Sequence, residues 1–153
     1  MWQIEHTLTI AAPPATVWAV LTDLDSYPAW NRYSPSASGD LVVGGTVTIT
    51  AHIGKTTQRV ANRVLTLRPD AELCWRSMSG YSWLVRGTRC RTLTPLLDEG
   101  TRFFQQEVFT GVIAGMVQRQ LGNAILDGMR LDCICIQREA ERRHTIFSES
   151  LKR

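Results

Sequence analysis

The stretch Trp2-Gln3-Ile4-Glu5-His6-Thr7-Leu8-Thr9-Ile10, followed by Ala12-Pro13-Pro14, Val17-Trp18-Ala19-Val20-Leu21-Thr22-Asp23 and Tyr27-Pro28-Ala29-Trp30-Asn31, decides the fold. Residues 2–10 alternate apolar and polar side chains, the period-two pattern of a strand with one buried face. Pro13 and Pro14 end that strand. Pro14 can also open a helix, because the first helical position misses no amide donor. Val17, Leu21 and Leu24 then recur at helical spacing, and the helix breaks around Asp23-Leu24-Asp25-Ser26. Ser26 is placed to cap a second short helix carrying Tyr27 and Trp30.

Outward from this opening, residues 36–45 are small and polar, with Gly39, Gly44 and Gly45 marking turns. Five stretches rich in β-branched and aromatic residues follow, at about 45–53, 56–68, 72–79, 83–96 and 101–110. Gly54-Lys55, Pro69-Asp70, Ser79-Gly80 and Asp98-Glu99-Gly100 separate them. Strands so close together, with no helical segment between, predict an antiparallel meander. From Val112 the period changes. Ile113, Val117, Leu121, Ile125, Met129 and Ile136 step at helical spacing to about residue 143, a rod roughly 45 Å long at 1.5 Å per residue. Gly115, Gly122 and Gly128 each cost that helix up to about 1 kcal/mol relative to Ala. Close approach to the sheet, or room for a ligand, would offset the cost. Residues after His144 read as a loosely held tail.

The totals narrow the function. At 153 residues the chain reads as one α+β domain, its ordered part about 2–143, and 44% hydrophobic residues call for a packed core rather than disorder. Of 17 basic residues two are Lys and the remaining fifteen Arg, against 14 acidic ones, with no block of like charge. A nucleic-acid partner is therefore not expected. The four cysteines and the scattered His6, His52 and His144 show no metal-ligand spacing, and no metal or organic cofactor is expected. Reduced thiols in a cytoplasmic protein are the expectation, since no basic stretch followed by an apolar run opens the chain. The longest apolar run, near 108–117, is too short for an integral membrane segment. There is no GxSxG elbow, no GxGxxG and no GxxxxGK[ST].

These residues, together with Glu107-Val108-Phe109-Thr110-Gly111, give a chain that resembles the START-like, polyketide cyclase/dehydrase-type (SRPBCC) superfamily with the helix-grip fold. The resemblance covers about residues 2–143. It implies a curved antiparallel sheet wrapped around the long C-terminal helix, with a hydrophobic small molecule (lipid, polyketide-like or aromatic) in the cavity between them. The alternatives it admits are a cyclase or dehydrase acting on such a ligand, or a chaperone-activator-like interaction module. A monomer or homodimer is expected, since the outer strand face is mixed, with Cys90, Thr92 and Gln106 on it. Two positions depart from the pattern. Asn31-Arg32 replaces the usual Asn-Pro, and arginines stand where the family's sixth strand often carries apolar residues.

Strand phase selects the candidate residues. In 101–110, Phe103, Gln105, Glu107 and Phe109 share one face, and the resemblance turns that face inward. The same phase puts Arg89, Arg91 and Leu93 inward and Cys90 and Thr92 outward, with Leu73, Trp75, Val60, Asn62 and Val64 inward on the neighbouring strands. Arg89, Arg91, Gln105, Glu107 and Asn62 thus form a polar cluster on an apolar wall. A guanidinium can hold a carbonyl or carboxylate bidentately or stabilise an enolate, and Glu107 can act as a general base if burial raises its pKa. Alternatively, Glu107 neutralises Arg89 or Arg91 in a structural ion pair. Trp30, Trp75 and Trp83 are candidates for lining the pocket or its mouth, and Met116, Leu121 and Ile125 face them from the long helix.

Overall fold

The computed structural model describes residues 1–153. A strand β1 (Trp2–Ile10) leads to a helix α1 (Pro14–Thr22), a 3-10 turn (Leu24–Ser26) and a one-turn helix α2 (Tyr27–Trp30). Six strands follow: β2 (Ser36–Gly39), β3 (Thr46–Ile53), β4 (Thr56–Arg68), β5 (Glu72–Met78), β6 (Arg86–Pro95) and β7 (Thr101–Thr110). The helix α3 (Ala114–Ser150) closes the chain. All strand pairs are antiparallel, in the spatial order β1-β7-β6-β5-β4-β3-β2. A register shift between Val64 and Thr66 bends β4, as an extra residue in one strand of a pair does. This is the α+β helix-grip architecture, a curved sheet against one long helix.

Four local features differ from the sequence expectation. β2 is a strand although its residues, Ser36-Ala37-Ser38-Gly39, carry no β-propensity. It is an edge strand held by pairing with β3 and by burial of Ala37. The segment 83–85 is loop, so β6 begins only at Arg86. α3 runs to Ser150, past the expected end near 143. Its last turns contain no Gly or Pro, so nothing stops them. They lose the apolar period because no sheet lies beneath them, and Ile146, Phe147 and Leu151 are exposed.

The fourth difference is chemical. Cys74 and Cys90 stand directly opposite each other on β5 and β6, with Cα atoms 4.2 Å apart, and are joined as a disulfide. The expectation of four reduced thiols is thus corrected, and only Cys133 and Cys135 are free. Their neighbours in sequence on the opposite sheet face, Leu73, Trp75, Arg89 and Arg91, point inward as the strand phase required.

The core is lopsided. Val17, Val20 and Leu21 of α1 and Tyr27 of α2 plug the end of the sheet where Leu73, Leu93 and Phe103 meet Met129 and Ile136 of α3. Ser26 does not cap α2 through its side chain. Its hydroxyl donates to Asp23 O (2.7 Å) and accepts the Trp30 indole N–H (2.9 Å), fixing the turn between the short helices. At the other end only a small cluster forms, of Trp2, Phe109, Ala114 and Ile125, with Trp2 and Phe109 stacked 4.2 Å apart. Ile4 and Ile53 pack against both clusters, and between the clusters a space remains between the sheet and α3. No helix is long and apolar enough to cross a membrane.

Candidate functional site

The space left open is a cavity of about 280 Å³, close to the lower bound of roughly 300 Å³ typical of ligand pockets. Ile49, Ala51 and Ile53 of β3, Val60 of β4 and Trp75 of β5 form one apolar wall. Phe109 of β7 with Val117, Leu121 and Ile125 of α3 form the other. Strand alternation creates the first wall, since every second residue of β3 faces α3. Gly87 contributes by what it lacks. A Cβ there would lie 2.9 Å from Glu107 Oε1 and 3.3 Å from the Phe109 ring, so glycine keeps that part of the cavity open.

The polar end is built from Tyr33, Arg89 and Glu107. Arg89 Nε and Nη2 both donate to Glu107 Oε2 (3.1 and 2.8 Å), and Nη2 also donates to the Tyr33 hydroxyl oxygen (3.4 Å). Burial works against the Arg89 charge, but Glu107, Tyr33 and Asp132 outweigh it and hold the guanidinium firmly protonated. Burial pushes the Tyr33 phenol up, against the opposing pull of Arg89, so it stays a hydroxyl at neutral pH. Its oxygen accepts from Arg89, which leaves its proton free to donate. Glu107 Oε1 has no hydrogen-bond partner in the protein. At this end the cavity therefore presents a hydroxyl donor and a carboxylate acceptor, tied together through a single guanidinium.

Behind this lies a sealed network. Arg91 donates to Gln105 Oε1 (2.8 Å) and to Asp132 Oδ2 (2.9 Å), and Asn31 Nδ2 donates to Asp132 Oδ1 (2.8 Å). Asn31 Oδ1 in turn accepts the backbone N–H groups of Tyr33 and Ser34, which fixes the chain after α2. Asp132 is fully buried. Burial alone would raise its pKa, but Arg91, Arg89 and the Asn31 hydrogen bond overcome that and hold it below the usual carboxylate range. The Arg91 guanidinium also sits 4.8 Å from the Trp75 ring centroid.

The structure thus sorts the candidate residues. Asn62, Trp75, Arg89 and Glu107 line the cavity, as do Phe109, Leu121 and Ile125. Arg91 and Gln105 face the same way but are spent on Asp132, outside the lining. Val64 is core, and Trp30 packs against the main core at the plugged end. Trp83 and Met116 stand in solvent, outside the lining, because 79–85 is a projecting loop and α3 begins with its first turn uncovered. Sequence reasoning passed over Tyr33 and Asp132. The signal for Asp132 was its place in the apolar stripe between Met129 and Ile136, where a lone carboxylate needs a buried cation. Tyr33 left a fainter trace in Gly128, whose missing Cβ lets the tyrosine ring lie against α3.

The sequence profile of the family described as "Polyketide cyclase / dehydrase and lipid transport" matches residues 1–128. The chain belongs to this family. Among solved structures it is similar to the ZhuI aromatase/cyclase from Streptomyces sp. R1128, at 21% identity over 93% of this chain and 94% of that one, with a TM-score of 0.77. A norcoclaurine synthase from Thalictrum flavum superposes with a TM-score of 0.71 at 12% identity, covering 93% and 95% of the two chains. The di-domain aromatase/cyclase StfQ of the steffimycin biosynthetic pathway gives 0.68 at 13% identity, over 96% of this chain and 51% of that one. At these identities the likeness is one of fold. No curated protein matches by sequence.

Proposed function

We propose that residues 1–153 form one ligand-binding unit that takes an apolar small molecule, of aromatic, polyketide-like or lipid character, carrying a hydroxyl or carbonyl at one end. The observation that carries this is the hollow itself, apolar on both walls, with Tyr33, Arg89 and Glu107 together at its polar end. The family description, "Polyketide cyclase / dehydrase and lipid transport", supports the reading. Trp75 and Phe109 offer the guest aromatic surfaces, and Leu121 and Ile125 close over it from α3. The test is native mass spectrometry with a panel of apolar ligands that includes a phenolic anthraquinone. One equivalent should be retained by the protein and lost from Ala51→Phe, a substitution that puts a ring into the space.

A second reading, an enzyme of the cyclase or dehydrase kind, is favoured by one feature. Glu107 Oε1 is an unused base and the Tyr33 O–H an unused acid, both anchored on Arg89. A carboxylate that removes a proton next to a ligand carbonyl, with a hydroxyl donating to the carbonyl oxygen as charge develops there, is the minimum for enolate chemistry. Glu107→Gln and Tyr33→Phe should then abolish turnover of a candidate polyketide while ligand retention persists. Retention without turnover in the unmodified protein leaves the carrier reading.

A further inference from the structure

The antiparallel strands divide the molecule into two ends of opposite character. At the plugged end the turns carry Asp40, Asp70, Asp98 and Glu99. At the other end lie the β3–β4 turn, the 79–85 loop and the β7–α3 junction, and here carboxylates vanish. Residues 41–69, 73–97 and 108–126 contain no Asp or Glu at all. The same segments hold Lys55, Arg59, Arg63, Arg76, Arg86 and Arg119, none of which makes an ion pair.

Two features stand side by side there. One is an apolar tip. Tyr81 (70% exposed), Trp83 (64%), Val112 (74%) and Met116 (52%) project from two segments locked together. Val112 N–H donates to Trp83 O (3.3 Å), and Ile113 N–H to Leu84 O (3.0 Å). The other is a basic cup on the outer sheet face, lined by Arg63, Arg76 and Arg86 with Ser79 and Ser82. Arg63 and Arg76 are direct cross-strand partners, a like-charge pairing that costs stability unless an anion relieves it. Tip and cup share the segment 79–86. The opposite end also exposes Val42, Val43 and Leu97, but beside carboxylates, which an anionic surface repels.

We propose that this end is a docking surface for an anionic lipid bilayer, with Tyr81, Trp83, Val112 and Met116 entering the interface and the arginine cup holding a headgroup phosphate. Aromatic rings with projecting aliphatic side chains suit the interfacial zone, and unpaired arginines suit anionic headgroups. The apolar protrusion is what favours a bilayer over an acidic protein, which would need only the charge. The surface stands on its own geometry. That it brings the cavity mouth to a lipid source rests on the reading above, since Val117 and Leu121 follow the tip on the same helix and line the cavity.

The test is co-sedimentation of the full chain with vesicles of phosphatidylcholine alone or with phosphatidylserine added. Binding should require the anionic lipid and weaken with salt. Arg63→Gln and Arg76→Gln should each weaken it about 5-fold, from the usual contribution of one basic residue at such a surface. Trp83→Ser with Val112→Ser should remove most of what remains, with circular dichroism unchanged. No binding, equal binding to neutral vesicles, or indifference to the Trp83/Val112 pair would overturn the proposal. So would binding transferred wholly to soluble glycerol phosphate or polyglutamate, which would assign the cup to a free phosphate or an acidic protein. Ala51→Phe separates the two readings. It should lose the apolar ligand and keep the vesicles, so each claim can fail without the other.

Discussion

Asp132 shows what one buried carboxylate does here. It receives Arg91, lies 3.7 Å from Arg89 and accepts Asn31, so it ties α3 to β6 and to the segment after α2. Removing its charge strands the buried Arg91 guanidinium, which has no other carboxylate partner, whereas Arg89 keeps Glu107. Asp132→Asn should therefore destabilise the fold by about 3–5 kcal/mol at neutral pH, measured by urea unfolding. The pH dependence follows from the lowered pKa. With the folded value below the unfolded one of about 3.9, the stabilisation is whole above about pH 4. It is lost as pH falls through the folded value, and the variant should lack that acid-side slope. Strand phase put Arg89 and Arg91 on one face, and the family resemblance turned that face inward, as the structure has it. Neither could divide them, because whether a guanidinium meets a ligand or Asp132 depends on a partner on a helix 41 residues away from Arg91.

At the scale of elements, the glycines of α3 separate by what lies opposite them. A Cβ at Gly128 would strike the Tyr33 ring, whereas Gly115 faces open space and Gly122 meets only Gln118 Cγ at 3.7 Å. Gly122→Ala should thus stabilise the protein by up to about 1 kcal/mol, the ordinary helix preference. Gly128→Ala should instead lower the melting temperature and displace Tyr33 from the cavity's polar end. On the sheet, the Cys74–Cys90 bridge closes a loop with a sequence separation of 16. Reducing it, or replacing Cys90 by Ser, should cost about 3 kcal/mol on the chain-entropy account. The strands from β3 to β7 were legible because their period-two patterns are interrupted by strong turn residues. β2 and the last turns of α3 were not, since a neighbour makes the first and the absence of a breaker permits the second. The disulfide was hidden for a related reason: a cross-strand pair is visible only once register is known.

Over the whole molecule, the order of elements fixed where material would be missing. Two short helices plug one end, a long helix crosses the other, and side chains from a curved wall cannot reach it everywhere. That hollow was readable from the opening stretch and the late change of period, but its lining was not. Trp83 and Met116 fell outside it because loops and helix starts escape periodicity arguments, while Ile49, Ala51 and Ile53 lay inside on a plain alternation. The most direct measurement is a fluorescence titration with the apolar probe N-phenyl-1-naphthylamine, comparing the protein with Ala51→Phe. The protein should bind one saturable equivalent and the substituted chain none, both with the same far-ultraviolet circular dichroism. Absence of binding by the unmodified protein, or equal binding by both, would contradict an apolar guest site between the sheet and α3.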